Sequence, residues 1–330
     1  MKILYAIQGT GNGHISRARE IIPYLQLHGE VDILISGTQA DVVLSQPVKY
    51  KFHGFSFVFG KNGGVNHWQT LKIIKLKQFW KDMHSIPIHD YNLIVNDFEP
   101  LTAWACKLKK VNSVSLSHQA SFESDKTPRP LKRGLRYAEW ILNYYAPTSY
   151  HIGFHFKAYD SFIHTPVIRS QIRNLQTQNL GHYTVYLPAI DDKILVKLLL
   201  ALPNTQWQIF SKHQKTPYTY ANVKVNAINN EAFNKSLAGC EGLLTGGGFE
   251  GPAEALYLGK KLLMIPMHNQ YEQECNAEAA HLLGVEVIHK IDGNFTSNLK
   301  KWIENNHKVI VHFPDETEAI VSNMVNKYAV

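Results

Sequence analysis

The sequence predicts an α/β protein made of two Rossmann-like domains whose parallel sheets face each other across a cleft. Three observations carry that expectation. Apolar runs of strand length alternate with helix-period segments along nearly the whole chain, the pattern of βα units that feed parallel sheets. The alternation breaks at 165–182, TPVIRSQIRNLQTQNLGH, which has no long apolar run. Each half also contains a glycine-rich turn that follows a strand and opens a helix. The 330 residues are enough for two domains, and a hydrophobic content of 45% belongs to a globular chain.

In the first half the expected strands are 3–7, 31–35, 50–59, 93–96, 111–116 and 150–154. The first runs into QGTGNGH, after which Ser16 is expected to cap a helix with Ile15, Ala18, Ile22 and Leu25 on one face. Pro23 should kink that helix and Gly29 should stop it. The second series is 183–187, 207–210, 223–227, 242–245, 262–265 and 285–288, with Pro314 ending a helical segment and a terminal helix over 316–328. The division is therefore a first domain at 1–165, a linker at 166–182 and a second domain at 183–330.

Composition narrows the function. No window approaches the ~20 uninterrupted apolar residues of a membrane span, and the amino-terminal KILYAI lacks the pattern of a signal peptide. A cytoplasmic protein is expected, with the inner face of the membrane as its one candidate surface. Cys106, Cys240 and Cys275 are odd in number and widely spaced, so neither a disulfide framework nor a zinc site is indicated. The net charge of +7 suits phosphorylated ligands or anionic lipid. Nucleic acid is not expected, because no nucleic-acid motif accompanies the charge.

The turn with Gly9, Gly11 and Gly13 invites a dinucleotide-binding reading. The third glycine is displaced, His14 occupies its place, and no acid ends the second strand, so the fingerprint fails. His14 is either a general base for an acceptor hydroxyl or a structural residue at a helix start. Asp97 and Glu99 in NDFEP stand at the carboxyl end of a strand, where open sheets bind ligands. A carboxylate there either orients His14 or caps the helix that Pro100 opens. His118 and Gln119, after the strand VNSVSL, either meet the acceptor or bond their own loop.

The most specific stretch is LLTGGGFEGPAEALYLGKKLLMIPMHNQYEQECNA, from Leu243 to Ala277. A strand empties into three glycines and a helix carrying Glu254, which is the outline of a nucleotide or nucleotide-sugar site. Glycines admit backbone N–H groups to an anion, the helix dipole favours it, and the acid accepts from ribose hydroxyls.

With these turns in view, the whole chain resembles the GT-B glycosyltransferases, in particular the peptidoglycan N-acetylglucosaminyltransferase and UDP-glycosyltransferase branches. Within TGGGFEGPAEA, the stretch GGGFEGPAEA from Gly246 has the length and spacing of the signature core HCGWNSTLEA. The resemblance implies donor contacts from Gly246, Gly247, Gly248, Phe249, Glu250, Gly251 and Glu254, with Glu254 on the ribose. It also implies sugar contacts from Glu272 and Gln273 in EQECNA, and a base contact from Ile228. Gly9, Gly11, Gly13, His118 and Gln119 fall on the acceptor side. Two departures stand out: Gly246 replaces the signature histidine, and Glu250 with Gly251 replace the residues that meet pyrophosphate. Glu250 either points away from the phosphates or opposes their binding, and the backbone N–H groups of Gly247 to Gly251 carry more of the phosphate load, with Lys212 or His213 as further cations.

The expectation is a metal-independent, inverting hexosyl transfer from a UDP-sugar to a glycan, lipid-linked or small-molecule acceptor. His14 and Asp97 are the catalytic pair, and no cofactor or metal is expected, since no DxD pair ends a strand. The alternatives are a nucleotide-sugar epimerase of the same fold and a non-catalytic nucleotide-sugar or glycan-binding protein. Two segments, 126–145 and 68–83, mix basic residues with Leu135, Trp140, Ile141, Leu142 and Tyr144 or with Trp68. Each is either a contact with anionic membrane or a basic turn beside a packed helix.

Overall fold

The computed structural model describes residues 1–37, 44–54, 76–130 and 136–330. Within them the chain forms two seven-stranded sheets. The first uses β1 (Lys2–Gln8), β2 (Glu30–Ser36), β3 (Tyr50–Phe52), β4 (Leu93–Asp97), β5 (Val114–Ser117), β6 (Tyr150–Phe154) and β7 (Ile163–His164), in the order β3-β2-β1-β4-β5-β6-β7. Every pairing in it is parallel. Its helices are α1 (Asn12–Gln26), α2 (Leu76–Ser85), α3 (Pro100–Lys109) and α4 (Arg136–Tyr145).

The second sheet uses β8 (His182–Tyr186), β9 (Gln206–Ser211), β10 (Tyr218–Tyr220), β11 (Val223–Ala227), β12 (Gly242–Gly246), β13 (Lys261–Ile265) and β14 (Glu286–Val287). The order is β10-β11-β9-β8-β12-β13-β14, and β10 is its antiparallel edge. A short helix α5 (Ser170–Arg173) precedes this sheet, and α6 (Asp192–Leu200), α7 (Asn230–Gly239), α8 (Glu250–Tyr257), α9 (Tyr271–Leu282), α10 (Phe295–Glu304) and α11 (Thr317–Tyr328) accompany and follow it.

The central strands form because their apolar runs are covered on both faces. Ile3, Leu4, Tyr5, Ala6 and Ile7 of β1 are all fully buried, as are Leu243 and Leu244 of β12. One core layer runs from Ile3, Ile22 and Val95 through Ile168 and Ile172 to Leu243, Phe249 and Met264, so the halves share apolar packing. In each sheet the strand order reverses next to the first strand of its series. Those reversals lie between β1 and β4 and between β8 and β12, and the crevice outside the strand carboxyl ends at such a point is where open α/β sheets hold ligands.

Several local expectations are corrected. The first helix begins at Asn12 behind Gly11, four residues before Ser16, so Gly13 and His14 lie in its first turn. Pro23 lies inside this helix, where the sequence places it. The strand expected at 50–59 extends over Tyr50–Phe52, and 55–59 fall outside the described residues. Pro314 ends no helix, because α10 stops at Glu304 before an irregular segment with Phe313 buried. The expected linker contains α5 and opens β8 at His182. The terminal helix returns to the first sheet, where Met324 and Val325 share the core with Ile15 and Ile22, and Tyr328 stacks on Tyr150 at 4.4 Å.

Candidate active site

The β1–α1 and β4–α3 turns flank the first reversal point, and they bring three side chains together. His14 Nδ1 lies 2.7 Å from Asp97 Oδ1. Arg17, one helical turn after His14, donates from Nη2 to Asp97 Oδ1 at 2.6 Å and from Nε to Oδ2 at 3.1 Å. Asp97 is fully buried, and His14 is 13% exposed. Burial pushes the Asp97 carboxyl up, but Arg17 and His14 outweigh it and hold it below the ordinary value. Burial opposes the Arg17 charge, and Asp97 and Glu250 overcome that too, so the guanidinium stays charged.

An ionised Asp97 accepts the Nδ1 proton of His14, which leaves the ring's lone pair on Nε2. Nη2 of Arg17 passes 3.1 Å from Nδ1, the approach of two donors that share one acceptor oxygen. Phe98 beside Asp97 has a φ of 56°, a left-handed conformation that costs free energy in a non-glycine residue and marks a constrained turn. Its ring stacks near His14, with centroids 6.3 Å apart.

The two acids of NDFEP separate into different roles. Glu99 is the N-cap of α3, and its carboxylate accepts from the N–H groups of Leu101 and Thr102 at 2.7 Å each. Ser36 Oγ donates to it as well, at 2.6 Å. Asp97 alone reaches the histidine.

Across the cleft, β12 ends in the turn Gly246–Gly247–Gly248–Phe249 and α8 begins at Glu250. Gln273 Oε1 accepts from Gly247 N at 3.1 Å and from Met267 N at 3.0 Å, and Asn276 Nδ2 donates to Gly247 O at 3.0 Å. Gly247 is tied down from both sides. Glu250 is engaged by the first sheet's side of the cleft: Arg17 Nη1 donates to its Oε1 at 2.5 Å. A Cβ at Gly13 would stand 2.5 Å from Glu250 Oε2, so glycine there admits the carboxylate.

Glu254 is buried and held by Arg169, with Nε donating to Oε1 at 2.5 Å and Nη2 to Oε2 at 2.8 Å. Burial raises its pKa, and Arg169 works against that rise. Arg169 leads into α5 and also bonds Asn230 and Asn234 of α7 at 2.8 and 3.2 Å.

Phe249 and His118 are packed inside the junction of the two halves. Their rings stack at 3.9 Å and 8°. His118 Nδ1 faces Phe154 O, and its Nε2 faces Asn276 Oδ1, both at 2.8 Å. Burial pushes the His118 pKa down, against Glu272. Gln119 Nε2 donates to Glu272 Oε1 at 3.1 Å. Gly9 N–H bonds Ser36 O at 2.6 Å, Gly11 takes a φ of 122° ahead of α1, and Ile228 is 40% exposed after β11.

Arg17, Arg169 and Asn276 were not singled out in the sequence. Arg17 carries a readable signal, a cation at the i+3 position from His14. Arg169 does not, because its partner is 85 positions away in the chain.

Residues 1–304 match the profile of glycosyl transferase family 1. The chain belongs to that family. This glycosyltransferase has the GT-B fold, and solved structures of that fold cover its full length. The glycosyltransferase SnogD from Streptomyces nogalater is 14% identical with a TM-score of 0.53, covering 99% of both chains. MurG of Acinetobacter baumannii is 12% identical with a TM-score of 0.54, covering 98% of this chain and 94% of its own. SsfS6 of Streptomyces sp. SF2575, complexed with thymidine diphosphate, is 10% identical with a TM-score of 0.59 and covers 99% of both. No curated protein sequence matches the chain.

Among the described residues no helix is long and apolar enough to cross a membrane, and no group of His, Cys, Asp and Glu is arranged to hold a metal ion.

Proposed function

We propose that the enzyme moves a sugar from a nucleotide-sugar donor, a UDP-sugar by its signature, to an acceptor hydroxyl with inversion. The observation that carries this reading is the His14–Asp97 contact at 2.7 Å, placed at the reversal point of the first sheet and joined through Arg17 to the donor-side helix. Nε2 of His14 takes the acceptor proton, and Asp97 steadies the imidazolium that results. The N–H groups of the Gly246–Gly251 turn and the α8 dipole receive the charge of the departing diphosphate, so no metal enters the scheme. Glu254 serves the ribose. Glu272 and the amide NH₂ of Gln273 serve the sugar hydroxyls, since Oε1 of Gln273 is already spent on backbone.

His14→Ala is expected to lower turnover by roughly 10²–10⁴-fold and to leave nucleoside diphosphate affinity unchanged, measured by titration calorimetry. An active His14→Ala enzyme would remove His14 from the mechanism. A thermal-shift panel of UDP, GDP, dTDP, CMP and NAD identifies the base. Stabilisation by NAD alone would sink the donor assignment.

The acceptor side of this reading includes a lipid-linked substrate met at an anionic membrane by the first sheet's helices. Trp80, Leu108, Trp140 and Tyr144 are exposed at 58%, 49%, 61% and 49%. Lys77 and Lys81 share α2 with Trp80, and Lys107 lies 5.7 Å from the Tyr144 ring centroid. Arg129 is not part of that charge, because it bonds Glu139 and the carbonyls of Phe122, Ser124 and Thr127. Lys132, Arg133, Leu135 and Trp68 lie outside the described residues. The protein should float with phosphatidylserine vesicles and less so with neutral ones, and Trp140→Ala should weaken flotation. Equal recovery with both vesicle types would remove the membrane from the reading.

A further inference from the structure

We propose that Arg17 is the cation that binds the donor's diphosphate, and that Glu250 is an internal competitor for it. The inference rests on the donor-site reading above and adds a residue from the opposite domain to it.

The Arg17 fork is divided. Nε and Nη2 are fixed on Asp97, and Nη1 alone reaches across the cleft to α8. The side chain is 2% exposed, so the guanidinium is held in place by its surroundings. Its partner there, Glu250, is the first residue of α8, and the start of a helix favours a negative charge. An anion therefore already stands at this end of the helix, carried by a side chain that is 27% exposed.

The glycines beside it point to a second anion. A Cβ at Gly248 or Gly251 would meet no atom within 4 Å, and neither residue has a positive φ. Packing and backbone conformation thus leave both positions free for larger residues, and what glycine preserves there is open space against the N–H groups of the turn. Gly246, Gly247, Gly248 and Gly251 supply no side-chain charge, so a diphosphate landing on them would need a cation from elsewhere. Nη1 of Arg17 is the donor directed at this end of α8.

In this scheme a phosphate oxygen takes the place of Glu250 Oε1 on Nη1, and the carboxylate swings toward solvent. Arg17 keeps both bonds to Asp97 throughout. Donor binding and the orientation of His14 then share one guanidinium.

The test is titration calorimetry with UDP, and with uridine as the nucleoside lacking phosphates, on the full chain. Glu250→Gln should tighten UDP binding by about tenfold, because a like charge beside the diphosphate is removed, and leave uridine affinity unchanged. Arg17→Lys should weaken UDP by a similar factor, again without effect on uridine. If Glu250 only fastens the two halves together, Glu250→Gln will bind UDP equally or more weakly, and the inference is overturned while the donor reading stands. If neither the wild type nor Glu250→Gln binds UDP, dTDP or GDP, the donor reading itself falls and this inference falls with it.

Discussion

The two sides of the cleft are built from opposite materials. On the first sheet, His14, Arg17 and Asp97 form a buried cluster in which every polar contact runs between charged or titratable side chains. On the second, β12 ends at Gly246 and runs into Gly247 and Gly248, with the Gly247 backbone held by Gln273 and Asn276 from α9. Side chains can present a proton acceptor of defined tautomer, and a bare backbone can present N–H groups at close range. Under the function proposed above, the difference divides the labour: the first sheet supplies the proton acceptor, the second supplies backbone N–H groups for the anion, and Arg17 reaches from one to the other. Arg17–Glu250 is an ion pair that joins the two sides.

The largest effect should come from the charged side. Asp97→Asn leaves Arg17 buried against a neutral partner, which typically costs about 3–5 kcal/mol. Its pH dependence identifies the cause. The folded pKa of Asp97 is lowered by Arg17 and His14 against burial, so its contribution is fully present above the unfolded value near ~3.9. It is lost as the pH falls through the lower folded value. The deficit of Asp97→Asn against wild type, read from urea midpoints, should therefore be greatest near neutrality and shrink below about pH 4. A deficit that stays constant from pH 7 to pH 3 would show that shape rather than charge is what Asp97 provides.

The same contrast governs what could be read in the sequence. The central strands were legible because each is a short apolar run covered on both faces, whereas β10, exposed along its length, and the two-residue β7 leave no such run. The two turns were legible because glycines follow the central strands directly. Asp97 and Glu99 stayed equivalent on paper. The fold separates them, since a residue three positions before Thr102 reaches the helix N–H groups and one two residues earlier, at the strand end, reaches His14. The partner that holds Glu250 could not be read from the signature, because it is 233 positions away. Phe249 and His118 share that reason: each looks like a ligand contact alone, and their stacking becomes visible only when the halves meet. Helix boundaries failed where a glycine rather than a side-chain cap starts the helix, as at Gly11.

The backbone side is tested by two substitutions of the same size. Gly247→Ala would bring a Cβ to 2.6 Å from the Gln273 Cβ and 2.7 Å from its backbone oxygen. Neither atom is the free end of a flexible side chain, so the overpacking should cost about 1–3 kcal/mol. Thermal unfolding would show it directly.

Gly251→Ala, four residues along, meets nothing within 4 Å and lies inside α8, where alanine is the better helix former. Its stability should match the wild type or exceed it by less than about 1 kcal/mol. Any loss of nucleoside diphosphate affinity in that variant then cannot come from a weakened fold. It must come from the methyl group standing in space that the ligand uses. Unfolding curves together with UDP titration on both alanine variants separate the two roles. If Gly251→Ala binds UDP as the wild type does, the open space beside α8 is not where the diphosphate lies, and anion binding would have to be sought closer to β12.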